Sequence, residues 1–287
     1  MTVIQVFLWL MIYSFIGWVY ESALRSVLEK KWVNSGLLTG PVCPIYGFGS
    51  LLVIFCLYER TDNLLLIFVF SMILTCSVEY VTSLILEKLF HAKWWDYSHM
   101  RFNFQGRVSL AGAVVFGALS VLLIKYVHPF VAGRLERLPE PVLVVSAFIL
   151  FAAVMTDTFF NVRSLLRLDG RLKEIHVAFN GFLEDYAKKA DELKASFMER
   201  SDEIKTAIMD KSDEFKTVFM DRTDDRKTTP FERFQESEFY SERIQNLVRL
   251  NRLQTKRIAR AFPRFKHIHY DEAWQRLKSH MLDAGKK

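Results

Sequence analysis

Apolar residues run almost unbroken through five stretches, at about 3–24, 43–58, 63–86, 108–131 and 141–163. Each approaches the roughly 20 residues that carry a helix across a bilayer. Beyond about residue 165 the pattern changes, and charged residues surround short apolar groups. This division predicts an all-α, polytopic membrane protein with about five transmembrane helices and a long amphipathic helical cytoplasmic extension. The predicted parts are a transmembrane domain over 1–165, a cytoplasmic helix over 166–230 and a basic helical tail over 231–287.

Within the second part, from Tyr186 to Thr229, an eleven-residue unit recurs as YAKKADELKAS, FMERSDEIKTA, IMDKSDEFKTV and the weaker FMDRTDDRKTT. Eleven residues make three turns at about 3.67 residues per turn, so equivalent positions stay on one face of a nearly straight helix. Phe197, Ile204 and Ala207, then Ile208, Phe215 and Val218, form the apolar stripe. Arg200 and Lys211 border it on one side, Lys205 and Lys216 on the other. Basic stems beside an apolar stripe suit an anionic lipid surface. The same pattern equally suits a helix packed on protein, with its charges in solvated pairs. The run from Arg243 to Lys266 has no acidic residue, and its Arg252, Lys256, Arg257 and Arg260 are candidate lipid-facing cations. An intramolecular role stays open for them. Nucleic acid is not an expected partner, because no base-reading motif accompanies the positive charge.

The distribution of charge changes the picture more than the net +6 does. Arg25, Lys30 and Lys31 follow the first stretch, and Lys88, Lys93, Arg101 and Arg107 separate the third from the fourth. The positive-inside rule then puts the N-terminus outside and the C-terminus in the cytoplasm. No Lys or Arg precedes the first apolar run, so that run is expected to remain as an anchor. Cys43, Cys56 and Cys76 lack metal-ligand spacing and read as reduced packing residues. Neither a metal nor a cofactor is expected.

Candidate chemistry lies in the membrane half. Glu21 shares a helical face with Ser14, Gly17, Trp18 and Arg25; Glu79, Ser83 and Glu87 share another with Cys76; Asp157 and Asn161 share a third. Carboxylates in apolar segments are costly and mark pathways or polar sites, although ion pairs near the helix ends explain some of them. Between the first two stretches, GLLTGPVCPIYGFGS (36–50) gathers helix-breaking glycines and prolines around Cys43 and Tyr46. Broken backbone of that kind lines ion and head-group sites in transporters, and also makes ordinary interfacial loops. Trp95, Asp96, Asn103 and Arg107, after the third stretch, offer aromatic, acidic and basic groups that suit either an anion clamp or an interface belt. Together these residues predict one cytoplasm-facing polar pocket.

Four strings in order, FIGWVYES (15–22), GLLTGPVCPIYGFG (36–49), EYVTSLILEKLFHAKWWDYS (79–98) and NFQGR (103–107), resemble the ABC-transporter permease family of bacterial membrane proteins called CmpB-like or type IV. The resemblance covers roughly residues 5–165. It implies a multi-pass protein of the bacterial plasma membrane and, by the family's label, transport. It carries no substrate or catalytic residue across.

Three functions follow from these features. As a transporter component the chain would need ATP hydrolysis from a separate nucleotide-binding ATPase subunit, since it has no GxxxxGK[ST] phosphate loop. As a membrane-embedded enzyme acting on lipid or envelope precursors, it would use Glu79 or Asp96 as acid or base and Arg107 as anion clamp. No nucleophile–base pair supports that reading, and the chain is not expected to be an enzyme. As a membrane scaffold or sensor it would work through its cytoplasmic helix. Membrane lipid and a second copy of the chain complete the expected partners.

Overall fold

The computed structural model of the chain describes residues 2–208 and 252–283. Thr2 starts the first helix by reciprocal capping: its Oγ1 accepts from the Gln5 amide at 3.3 Å, and the Gln5 side chain accepts from the Thr2 amide at 2.8 Å. Helix α1 then runs Val3–Glu29 and stops where Lys30 turns left-handed at φ 52°. A loop leads to α2, Pro44–Leu57, opened by a proline that needs no amide partner at that position. Asn63 caps α3, Leu64–Phe90, by accepting from the amides of Leu65 and Leu66.

Next come two short strands, β1 (Ala92–Lys93) and β2 (Asn103–Phe104), and then β3 (Val108–Ser109), which pairs antiparallel with β2. Helix α4, Leu110–Leu122, continues through a π turn at Leu123–Val127 into α5, His128–Leu135. Pro129 supplies the cause, since it has no amide for the ladder and the helix widens just before it. Helix α6 covers Glu140–Ile208, 69 residues and about 100 Å at 1.5 Å per residue. After residue 252 follow α7 (Arg252–Ala261), β4 (Lys266–His267) and α8 (Asp271–Asp283).

Four segments, Val3–Glu29, Leu64–Phe90, Leu110–Leu135 and Glu140–Asp185, are long and apolar enough to cross a membrane. The remaining predicted stretch forms only the 14 residues of α2, about 21 Å of helix against about 30 Å of hydrocarbon. Its shortness has a local origin: the loop before it folds inward until the Cys43 amide donates to the Ser14 carbonyl, halfway along α1. Gly17 and Gly47 permit that approach, because a Cβ on Gly17 would strike the Tyr46 ring and one on Gly47 would strike Ser14 and Leu10.

Two cores result. One, around Leu8, Trp9, Tyr13, Ile54 and Leu143, lies among the apolar helices. The other places Leu165, Leu168, Leu172, Ile175, Phe179 and Phe182, one stripe of α6, against α7 and α8, with Trp274 fully buried between them. Helix α6 therefore passes the expected boundary at residue 165 without a break. Strand β4 pairs with β1, Ala92 opposite His267 and Lys93 opposite Lys266, so the tail is joined to the loop after α3. The expected all-α fold thus includes two small ladders. The first two eleven-residue units fall within α6; Lys211, Lys216 and the later units lie outside the described residues.

Candidate functional site

Where the inward loop meets α1, two of the expected residues touch. The Tyr46 hydroxyl donates to Glu21 Oε2 at 2.6 Å, and Arg25 Nε lies 3.3 Å from Glu21 Oε1, one turn along the helix. Gly36 shapes the loop above them. Its φ of +95° is open to glycine and strained for other residues, and a Cβ there would come within 2.6 Å of Cys43 Sγ. Cys43 is consequently buried under the turn.

Glu79 of α3 faces the same space from the other side. Its Oε1 accepts from the Tyr97 hydroxyl at 3.1 Å, while Oε2 has no hydrogen-bond partner among the described residues. Burial, followed by the nearby Glu79 carboxylate, pushes the Tyr97 hydroxyl upward, which keeps it a donor. A cavity of about 480 Å³ lies between α1, α2, α3 and α4, within the range of small-molecule sites. Glu21, Arg25, Glu79, Trp95 and Tyr97 line its polar part; Phe116, Leu119 and Leu123 line the rest. Ala261 and Phe262, at the end of α7, complete the lining.

Asp157 and Asn161 do not line this cavity but hold its loop. Asp157 Oδ2 accepts from the Gly40 amide at 3.0 Å, and Asn161 Oδ1 accepts from Thr39 Oγ1 at 3.1 Å. Arg257 completes the clamp across 220 residues of sequence. Its guanidinium donates to the Gly36, Leu37 and Leu38 carbonyls at 3.1, 2.8 and 2.7 Å and to Asn161 Oδ1 at 3.1 Å. Burial lowers its pKa from the ordinary arginine value, partly offset by Asp157. Arg257, expected to face lipid, is therefore turned into the protein. Neighbouring Lys256 and Arg260 are half-buried, and Arg200, Lys205 and Arg252 fall on described helices.

The expected anion clamp has other partners. Arg107 Nη1 lies 2.7 Å from Glu87 Oε2, in ion-pair contact without hydrogen-bond alignment, and donates to Ser83 Oγ at 3.0 Å. Tyr80 packs under its guanidinium. Thus Ser83 and Glu87 anchor the β2–β3 hairpin to α3. Trp95 Nε1 donates to the Arg107 carbonyl at 2.9 Å. Asn103 Oδ1 accepts from the Gly106 amide and shapes the turn. Asp96 accepts from Lys266 Nζ at 2.8 Å and from Ser98, contacts that hold its carboxyl well below the usual range. Asp96 is thereby a poor general acid or base near neutrality.

Sequence reasoning missed Tyr97, and it left an intramolecular role open for Arg257 without naming the loop it holds. Tyr97 had a signal in the aromatic run Trp94–Tyr97; Arg257 had none, because its partners are backbone carbonyls of a distant loop. Against known proteins, the family model described as Putative ABC-transporter type IV matches residues 8–162. No curated protein and no solved structure matches the chain.

Proposed function

The chain belongs to the family Putative ABC-transporter type IV, and from that premise we propose that it is the membrane-spanning component of a transporter, with the cavity at Glu79 as its substrate site. The observation that carries the reading is a buried carboxylate oxygen without a partner among the described residues, beside a cavity of ligand size. Short α2 acts as a fifth crossing, its N-terminus ending inside the bilayer at Ser14, as the broken helices of transporters do.

The plasma membrane is the proposed location, with the N-terminus outside and the cavity mouth, α7 and α8 in the cytoplasm. Supporting this side are Arg25, Lys30, Lys31, Lys88, Lys93 and Arg101 near that end of the helices. Hydrolysis of ATP would come from a separate subunit docking near the hairpin and tail.

Purification of the full chain from its own host tests the proposal. An ATPase should copurify, and Glu79→Gln should abolish substrate-stimulated ATP hydrolysis without lowering the amount of complex. A chain that purifies and functions alone would overturn it, as would an unchanged Gln variant for the role of Glu79.

A further inference from the structure

The cavity has a shape as well as a volume. Below Glu21 it continues along α1 to Tyr13, about 12 Å of helix rise, and α4 with the π turn after it follows from Phe116 to Val127. Its two ends differ chemically. Toward the mouth stand Arg25, Glu21, Tyr97 and Glu79; the deep end is walled by Leu119, Leu122 and Leu123.

Two of the deep hydroxyls are already satisfied. Tyr13 is hydrogen-bonded to His128 Nδ1 at 2.6 Å, and Thr75 donates to the Ser71 carbonyl at 2.7 Å. Among the described residues lining the cavity, the buried side-chain atom without a partner is Glu79 Oε2. Two carboxylates, Glu21 and Glu79, face one guanidinium, Arg25, and Arg25 is paired with Glu21. No described cation forms a salt bridge with Glu79. A partner for it must therefore bring a donor, and positive charge fits best.

Resting on the reading of this cavity as the substrate site, we propose that it takes an amphiphile with an ammonium-bearing head. The nitrogen donates to Glu79 Oε2, and an aliphatic chain of about 12 Å runs down between α1 and α4. The chain lies along the helices, parallel to the lipid tails outside, and enters past Phe262. Discrimination between heads comes from Glu79, because a neutral head leaves its carboxylate unpaired and an anionic head is repelled.

The test uses full-length protein in lipid nanodiscs and a decylamine bearing a photoreactive diazirine at the chain end. Adducts should map to Phe116–Val127. Decylamine should compete about 10- to 100-fold better than decanol at equal membrane mole fraction, the range for a charged hydrogen bond, and decyl phosphate should compete worse than decanol. Glu79→Gln should remove the advantage of the amine and leave competition by decanol. Equal competition by all three probes overturns the head-group assignment, and that ranking is read in the unaltered protein even if the variant fails to accumulate. Adducts confined to exposed outer residues such as Phe148 and Phe159 overturn the chain assignment. Transport is judged separately: amine binding without an ATPase partner removes the transport reading and keeps the ligand class, and an ATPase partner without the ranking does the reverse.

Discussion

Removing the Arg257 guanidinium should open the loop over Cys43. In Arg257→Ala, the carbonyls of Gly36, Leu37 and Leu38 and the Asn161 side chain lose a donor that now meets all four at 2.7–3.1 Å. A hydrogen bond to a charged group is worth about 1.5–3 kcal/mol, and breaking a buried charged contact costs about 3–5 kcal/mol. Because the loop lies near the mouth and its carbonyls can take up water, the lower end, about 3 kcal/mol, is the appropriate figure. That shifts the opening equilibrium by about two orders of magnitude. Cys43 reports the change, being buried beneath Gly36 in the closed loop. With Cys56 and Cys76 replaced by Ser, iodoacetamide should label Cys43 in membranes about 100-fold faster in Arg257→Ala than in the parent. Arg257→Lys, which keeps the charge and loses the fork, should fall between them. A parent-like labelling rate in a folded Arg257→Ala protein would refute the clamp.

Other perturbations test the neighbouring packing. Gly47→Val places atoms where Ser14 and Leu10 already stand, so α1 and α2 must separate at a cost of about 1–3 kcal/mol; a lower melting temperature in detergent is expected, and an unchanged one would contradict the close approach. Trp274→Ala empties the centre of the core between α6, α7 and α8, a loss of about 3–5 kcal/mol that hydrogen exchange should register over residues 165–182. His267 should make the tail sensitive to acid. Its Nδ1 accepts from the His269 and Tyr270 amides, its Nε2 meets Asp169 at 3.1 Å, and burial lowers its pKa from 6.5 against the opposing pull of Asp169, with His269 and His91 adding to the lowering. Since a base with a depressed folded pKa stabilises the fold above its unfolded value, protection of residues 265–277 should hold above about pH 6.5 and fall as pH drops below it. Equal protection at pH 7.5 and pH 5 would dismiss the role of His267.

Much of the membrane half was legible because its signals are local. Runs of apolar residues specify long helices wherever they sit, and Pro44, through its missing amide, and Asn63, through its side-chain oxygen, mark helix starts. The three- and four-residue spacing also put Glu21 with Arg25, and Ser83 with Glu87, on shared faces. What those faces meet was not legible. Glu87 and Arg107 pair across the hairpin, whereas Asp157 and Asn161 serve the loop instead of the cavity.

By itself, then, the sequence determined which segments are apolar helices, where their carboxylates fall, and that the chain after Pro41 breaks and restarts as a helix. Only the tertiary structure decided that α2 begins halfway along α1, that α6 continues through residue 165, and that Arg257 closes the loop it is 220 residues away from. The reason is physical. Hydrophobic periodicity records what each residue prefers as its surroundings, but a carbonyl carries no side-chain signature, and the partner of a buried charge is fixed by which backbones approach closely enough to offer one.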